Sequence, residues 1–233
     1  MKIIFTLSIY ILILTGCATT GSSSSSYTAP VIKEIENERL VYESFDVIWD
    51  RIVAKLSSSY FVINNIDKES RLINLSFSSD SPENYINCGK NFRTFSFRDN
   101  KETYKYQVAG NSFYKIAGKW GPYKNLPFVW EVTRETSLEG RINVYLAPLE
   151  KNTTRFVTNV RYIISSNVNG IAYDYNGFGV LQNKQKIPEL NKSISFNTGS
   201  VGSKNFGNAT NPLIVKCQST GVLENELLTL ADN

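Results

Sequence analysis

Between residues 95 and 164 the chain alternates. Phe95 and Phe97 fall on one face of an extended backbone, as do Tyr104, Tyr106 and Val108. The pattern returns at Phe128, Trp130 and Val132, and again at Ile142, Val144 and Leu146. It returns once more at Phe156, Val160, Tyr162 and Ile164, where Thr158 interrupts the face. Successive side chains of a strand point to opposite faces, so apolar residues at every second position predict antiparallel strands with one wet face. The material for a core is present: 42% of the 233 residues are hydrophobic, with 13 Phe and 13 Tyr among them.

One segment changes period. Phe45, Ile48, Trp49, Ile52, Val53 and Leu56 are spaced i, i+3, i+4, i+7, i+8 and i+11, which predicts an amphipathic helix. Ser44 is placed to cap it, Asp46 lies in its first turn, and Lys55 lies near its end, both charges being favourable to the helix dipole. Leu40 and Tyr42 predict a short strand before it. Residues 60–66 and 71–78 predict a hairpin after it, turned at Asp67-Lys68-Glu69-Ser70. Residues 197–211 read as a loop. A last helix is expected from Thr220, with Leu223, Leu227 and Leu230 on one face and Glu224 in its first turn. The expected fold class is α+β, with a helix packed on an antiparallel sheet, additional strands and a C-terminal helix.

The N-terminus is of another kind. Ile3 to Leu14 would cover roughly 18 Å as a helix, too short for about 30 Å of hydrocarbon. One basic residue, this apolar run and Leu14-Thr15-Gly16-Cys17 together resemble a bacterial lipoprotein signal peptide. The resemblance implies removal of residues 1–16 and lipidation of Cys17 by palmitate-type acyl chains. At about 0.8 kcal/mol per buried methylene, several chains would anchor the protein permanently. Ala18, where an aspartate often marks inner-membrane retention, implies the outer membrane, with the protein lipid-anchored on the periplasmic side. Residues 17–37, with five serines at 22–26, read as a flexible tether, and residues 38–233 as a single periplasmic domain.

With Cys17 acylated, Cys88 and Cys217 have one possible pairing, and the periplasm is oxidising. A bridge would close a loop of about 130 residues and stabilise by up to about 5 kcal/mol in the chain-entropy description. Two buried free thiols are the alternative.

The run Phe45-Asp46-Val47-Ile48-Trp49-Asp50-Arg51-Ile52-Val53, and after it Phe61-Val62-Ile63-Asn64-Asn65-Ile66-Asp67-Lys68-Glu69-Ser70-Arg71-Leu72-Ile73, carries a second resemblance. It looks like the helix-grip domains of a lipoprotein component of the outer-membrane barrel-assembly machinery. That lipoprotein has two such domains, whereas here one unit precedes a longer strand-rich region. The resemblance implies a helix-grip-like fold and carries over no catalytic residue.

Chemistry is limited by what is missing. There is no histidine, which removes Ser–His–Asp and Cys–His catalysis and every histidine metal site. No cofactor or metal is expected. Asp174-Tyr175-Asn176-Gly177 reads as a tight turn, since a calcium loop would need a later carboxylate. A net charge of +4 is too mild to argue for nucleic acid. Residues 90–134, however, hold nine Lys or Arg, three acids and eleven aromatics. Gly110, Gly118, Gly121 and Pro122 predict a loop presenting Tyr114, Lys119, Trp120, Tyr123 and Lys124 as a binding surface. The alternative is ordinary sheet, with rings facing the core and lysines facing water. The expected function is non-enzymatic: an accessory or scaffold component of an envelope protein assembly. A periplasmic glycan- or peptidoglycan-binding lipoprotein is the alternative, and a hydrolase the third.

Overall fold

The computed structural model describes residues 21–119, 126–207 and 212–232. Strands β1 (Gly21–Thr28) and β2 (Glu38–Val41) precede helix α1 (Phe45–Ser57), which leads into the hairpin β3 (Val62–Asp67) and β4 (Leu72–Ser79). A two-residue strand, β5 (Ile86–Asn87), comes before β6 (Lys90–Phe97), β7 (Asn100–Gln107) and β8 (Ser112–Gly118). Next come β9 (Phe128–Glu150), β10 (Thr153–Tyr175) and β11 (Leu181–Asn197). The chain closes with β12 (Gly202–Asn205), β13 (Ile214–Ser219) and helix α2 (Val222–Leu228). The architecture is mostly antiparallel sheet with two short helices, one of them C-terminal.

β9 and β10, 23 residues each, form the spine. They pair from Thr153↔Glu150 to Asp174↔Phe128, a contour of roughly 70 Å. Neither half of so long a ribbon is stable alone, and each is covered differently. At the hairpin end β4 pairs with β9, β3 with β4, and β2 with β10. At the far end β8 pairs with β9, and β11 runs along β10. A separate sheet, β1–β6–β7, packs against β8 there.

The helices cover the hairpin end. Ile48, Trp49, Ile52 and Leu56 are buried with Ile73, Leu75, Ile142, Val144, Phe156, Val160 and Tyr162, so the α1 stripe is the core stripe predicted above. Leu223 and Leu227 of α2 join the same core. Gly140 belongs to the fit of this core, since a Cβ there would lie 1.9 Å from the Phe77 ring. A second, smaller cluster joins Phe95, Phe97, Ala117 and Val129 at the far end, packed by Tyr104 and Tyr175.

Several expectations are corrected. The serine run is not a tether: Gly21–Thr28 pairs residue for residue with β6, from Gly21↔Phe97 to Thr28↔Lys90. Its hydroxyls are used, with Ser24 Oγ 2.7 Å from Thr94 Oγ1 and Ser23 Oγ accepting from the Ala117 amide at 2.7 Å. Tyr27 fixes its end, receiving the Lys216 amide at 2.9 Å and donating to the Cys88 carbonyl at 3.2 Å. Low complexity describes what the segment can bury, not what its backbone can pair with. Likewise the expected loop at 197–211 contains β12, paired to β13. The two alternating segments at 128–132 and 142–146 are one strand, and the residues buried in its first part are Val129 and Val132. Ser44 takes the N-cap position with an extended backbone but makes no side-chain cap bond, and Asp46 pairs with Lys68 at 2.9 Å.

Cys88 and Cys217 form a disulfide, joining the chain just before β6 to β13.

Candidate functional site

The stacking of β6–β7 over β8 and β9 brings two tyrosines and two arginines together. Tyr106 and Tyr114 lie with ring centroids 5.6 Å apart and planes 4° from parallel. The Arg93 guanidinium lies 4.4 Å from the centre of the Tyr114 ring, and its Nε donates to the Tyr106 hydroxyl at 2.8 Å. Arg134 lies 5.4 Å from the Tyr106 ring. Cations over aromatic faces are held by the ring quadrupole, more strongly where water is excluded.

Arg134 also holds the turn between β7 and β8. Its Nη1 donates to the Val108 carbonyl at 2.7 Å, its Nη2 to Gly110 at 2.6 Å and Gln107 at 3.3 Å, and its Nε to Ser112 Oγ at 3.2 Å. One rigid fork thus meets three carbonyls at the end of β7 and in the turn after it. Burial pulls the Arg134 pKa down, and burial pushes the Tyr114 hydroxyl up against the opposing pull of Arg93. Neither arginine has an ion-pair partner among the described residues. The Glu83 carboxylate, packed against Gly110, supplies opposite charge to Arg134 without a direct ion pair.

The array forms one wall of a cavity of about 220 Å³. Ile164, Leu190, Ile194 and Val215 make it apolar, Lys192 adds a third cation, and Cys88 and Cys217 lie in the wall. No carboxylate among the described residues lines it.

A larger groove, about 690 Å³, adjoins the cavity and shares Ser166 and Lys192 with it. It is built by register. Ser137, Ser165 and Ser193 align across β9, β10 and β11 on one sheet face, as do Glu135, Asn167 and Asn191, while the row between them, Thr136, Ser166 and Lys192, points to the other face. Asp80, Asn111 and Lys204 complete the lining, which has no apolar side chain among the described residues. Asn167 donates to Glu189, while its Oδ1 is shielded from solvent and unpartnered. Hydroxyls and amides in rows can meet a ligand rich in hydroxyl and amide groups.

The sequence-predicted surface is only partly placed here. Tyr114 is not an exposed loop residue: it lies in β8, 7% exposed, stacked in the array. The correction has a local cause, for the turn ends at Asn111 and strand resumes at Ser112, pointing Tyr114 inward. Lys119 is exposed just after β8. Trp120, Tyr123 and Lys124 lie outside the described residues, as does Cys17. The groove residues were invisible to sequence reading. Ser and Asn on wet strand faces are ordinary one strand at a time, and only the pairing of three strands lines them up.

Buried Glu224 has a different role. It accepts from Thr198 Oγ1 at 2.8 Å and Ser219 Oγ at 2.7 Å, with Tyr162 3.2 Å from Ser219. It lines neither cavity nor groove. The network ties the first turn of α2 to β10. Of the Asp174–Gly177 segment, expected as a turn, Asp174 and Tyr175 instead close β10, and the turn begins after them, with the Asn176 amide donating to Val180 at 2.9 Å.

Comparison with protein-family models, with curated proteins and with solved structures finds no match to this chain.

Proposed function

We propose that this protein is a lipid-anchored outer-membrane lipoprotein that acts by binding rather than catalysis, with glycan of the envelope, such as peptidoglycan, as the ligand of the groove. The observation that carries the reading is the groove itself: seven hydroxyl or amide side chains from three adjoining strands, with Asn111 beside them, line it. Sugars offer the matching donors and acceptors, and Lys192 with the cationic cavity beyond supplies attraction for anionic groups on them. The hairpin end, α1 against the sheet, is read as a helix-grip unit in a single periplasmic domain.

The test is retention of the protein on purified sacculi. Each lost hydrogen bond contributes about 1 kcal/mol, so Asn167→Ala and Asn191→Ala are each expected to weaken retention about fivefold. Wild-type protein that washes off as readily as the double variant would end the glycan reading. Glu135→Gln addresses the hydrolase alternative: it should alter no product profile, because a binding groove releases no fragments.

A second reading, as accessory or scaffold to an envelope protein assembly, is favoured by β3. It is the edge of the main sheet, and Val62, Ile63 and Ile66 are 59%, 38% and 38% exposed. An apolar edge with unpaired backbone groups is where a partner strand adds. A photocrosslinker at position 62 in intact cells should then capture a small, repeatable set of envelope proteins.

A further inference from the structure

The pairing of the serine run has a consequence for where the folded body sits. Gly21, the first described residue, is already in strand, and it lies four residues after Cys17. Four peptide units span at most about 14 Å. The headgroup layer itself takes roughly 5–8 Å of that. A chain acylated at Cys17 therefore has no long tether, and whatever lies beside Gly21 lies beside the membrane.

What lies there is identified by contact. Gly21 pairs with Phe97, and a Cβ on it would touch Ala117 and Gly118 at 3.0 Å. The Phe97 ring lies 4.9 Å from that of Tyr175, and Arg98, the next residue, donates from Nη2 to the carbonyl of Gly179. Gly179 belongs to the turn between β10 and β11. That turn is apolar and outward: Phe178 is 87% exposed, Val180 57% and Leu181 48%. Arg98, Lys101 and Lys119 are exposed at the same end, against the single exposed carboxylate of Asp99 in the β6–β7 turn. A large ring at the end of a rigid hairpin, bordered by cations, has the composition of a segment that lies in a bilayer interface.

We propose that the β10–β11 turn, with Phe178 at its tip, is a membrane-contact surface that inserts into the headgroup region of the bilayer carrying the Cys17 anchor. The inference rests on the lipid-anchor reading. It orients the molecule, placing the β1 start, the β6–β7 turn and the β10–β11 turn at the lipid. The β9–β10 hairpin end, with α1 and β3, faces away, and the groove opens between the two ends.

The experiment uses the full chain purified with its native N-terminus, reconstituted in phosphatidylethanolamine–phosphatidylglycerol vesicles. Phe178→Cys and, at the opposite end, Tyr42→Cys carry an environment-sensitive fluorophore; both positions are exposed, at 87% and 78%, so neither label disturbs a core. Lipid-borne nitroxides should quench the label at 178 severalfold more than the label at 42. Mass spectrometry of the N-terminal peptide reports acylation of Cys17 on the same sample. Equal, weak quenching at both positions with Cys17 acylated overturns the membrane-contact surface and leaves the anchor standing. An unacylated Cys17 overturns the anchor. In that case Cys17→Ala protein decides the surface: binding to the same vesicles that Phe178→Ser lowers about fivefold or more upholds it, and no such loss overturns it.

Discussion

Arg134 shows how much structure one side chain can carry. Its guanidinium satisfies the carbonyls of Gln107, Val108 and Gly110 and faces the Tyr106 ring, so it terminates β7, shapes the turn and starts β8. Arg134→Met keeps volume and removes the fork, leaving the Val108 and Gly110 carbonyls short of a donor while Gln107 keeps the Gly110 amide. A loss of about 2–4 kcal/mol is expected, read as a drop of several degrees in Tm. Tyr114→Phe, by contrast, should be nearly neutral because ring stacking, not the hydroxyl, holds that residue. Glu102 carries a pH prediction. Hydrogen bonds from Lys115, at 2.8 Å, and from Tyr104 hold its carboxyl below the ordinary value of 4.5, and Arg51 does the same for Glu43. A carboxyl lowered on folding stabilises the protein above its unfolded pKa, and that stabilisation is lost as pH falls through the folded pKa. Tm should therefore fall below about pH 4.5, and Glu102→Gln should make that acid limb shallower while lowering Tm at neutral pH.

Among the elements, β1 is the instructive one. Its residues are polar and mostly exposed, its partners are 62–76 positions away, and nothing in its composition favours a strand. Hydrogen exchange distinguishes it from a tether. Amides of residues 22–27 that bond to β6 are expected to exchange at least about a hundredfold more slowly than those of an unstructured peptide of the same sequence. Uniformly fast exchange would return the segment to linker status and remove the short reach on which the membrane orientation depends. α1 was legible from its sequence for the opposite reason. Its partner is the whole sheet, and the stripe at helical spacing survives whichever strands supply that surface.

In the molecule as a whole, β9 and β10 serve both cores, so neither end can melt while the other keeps its spine. One cooperative unfolding transition is expected, with calorimetric and van't Hoff enthalpies in agreement; two separated transitions would divide the single domain proposed here. The disulfide acts at this scale too, linking residues 129 apart. Replacing Cys88 and Cys217 together by Ser should cost up to about 5 kcal/mol, and thiol-reducing conditions should lower Tm in wild type but not in that variant.

Local pattern alone determined the elements whose side chains declare a period: α1, the β3–β4 hairpin, the alternating strands through Ile164, and α2. Those signals are intrinsic, because burying one face of a helix or strand leaves its spacing in the chain. Tertiary structure decided the rest. It joined two predicted strands into one 23-residue β9, drew the serine run into a sheet, turned Tyr114 inward, and aligned Ser137 with Ser165 and Ser193. Each of these depends on which strand lies beside which, and at what register. Backbone hydrogen bonding is blind to side-chain identity, so a polar segment carries no mark of the partner that will pair with it.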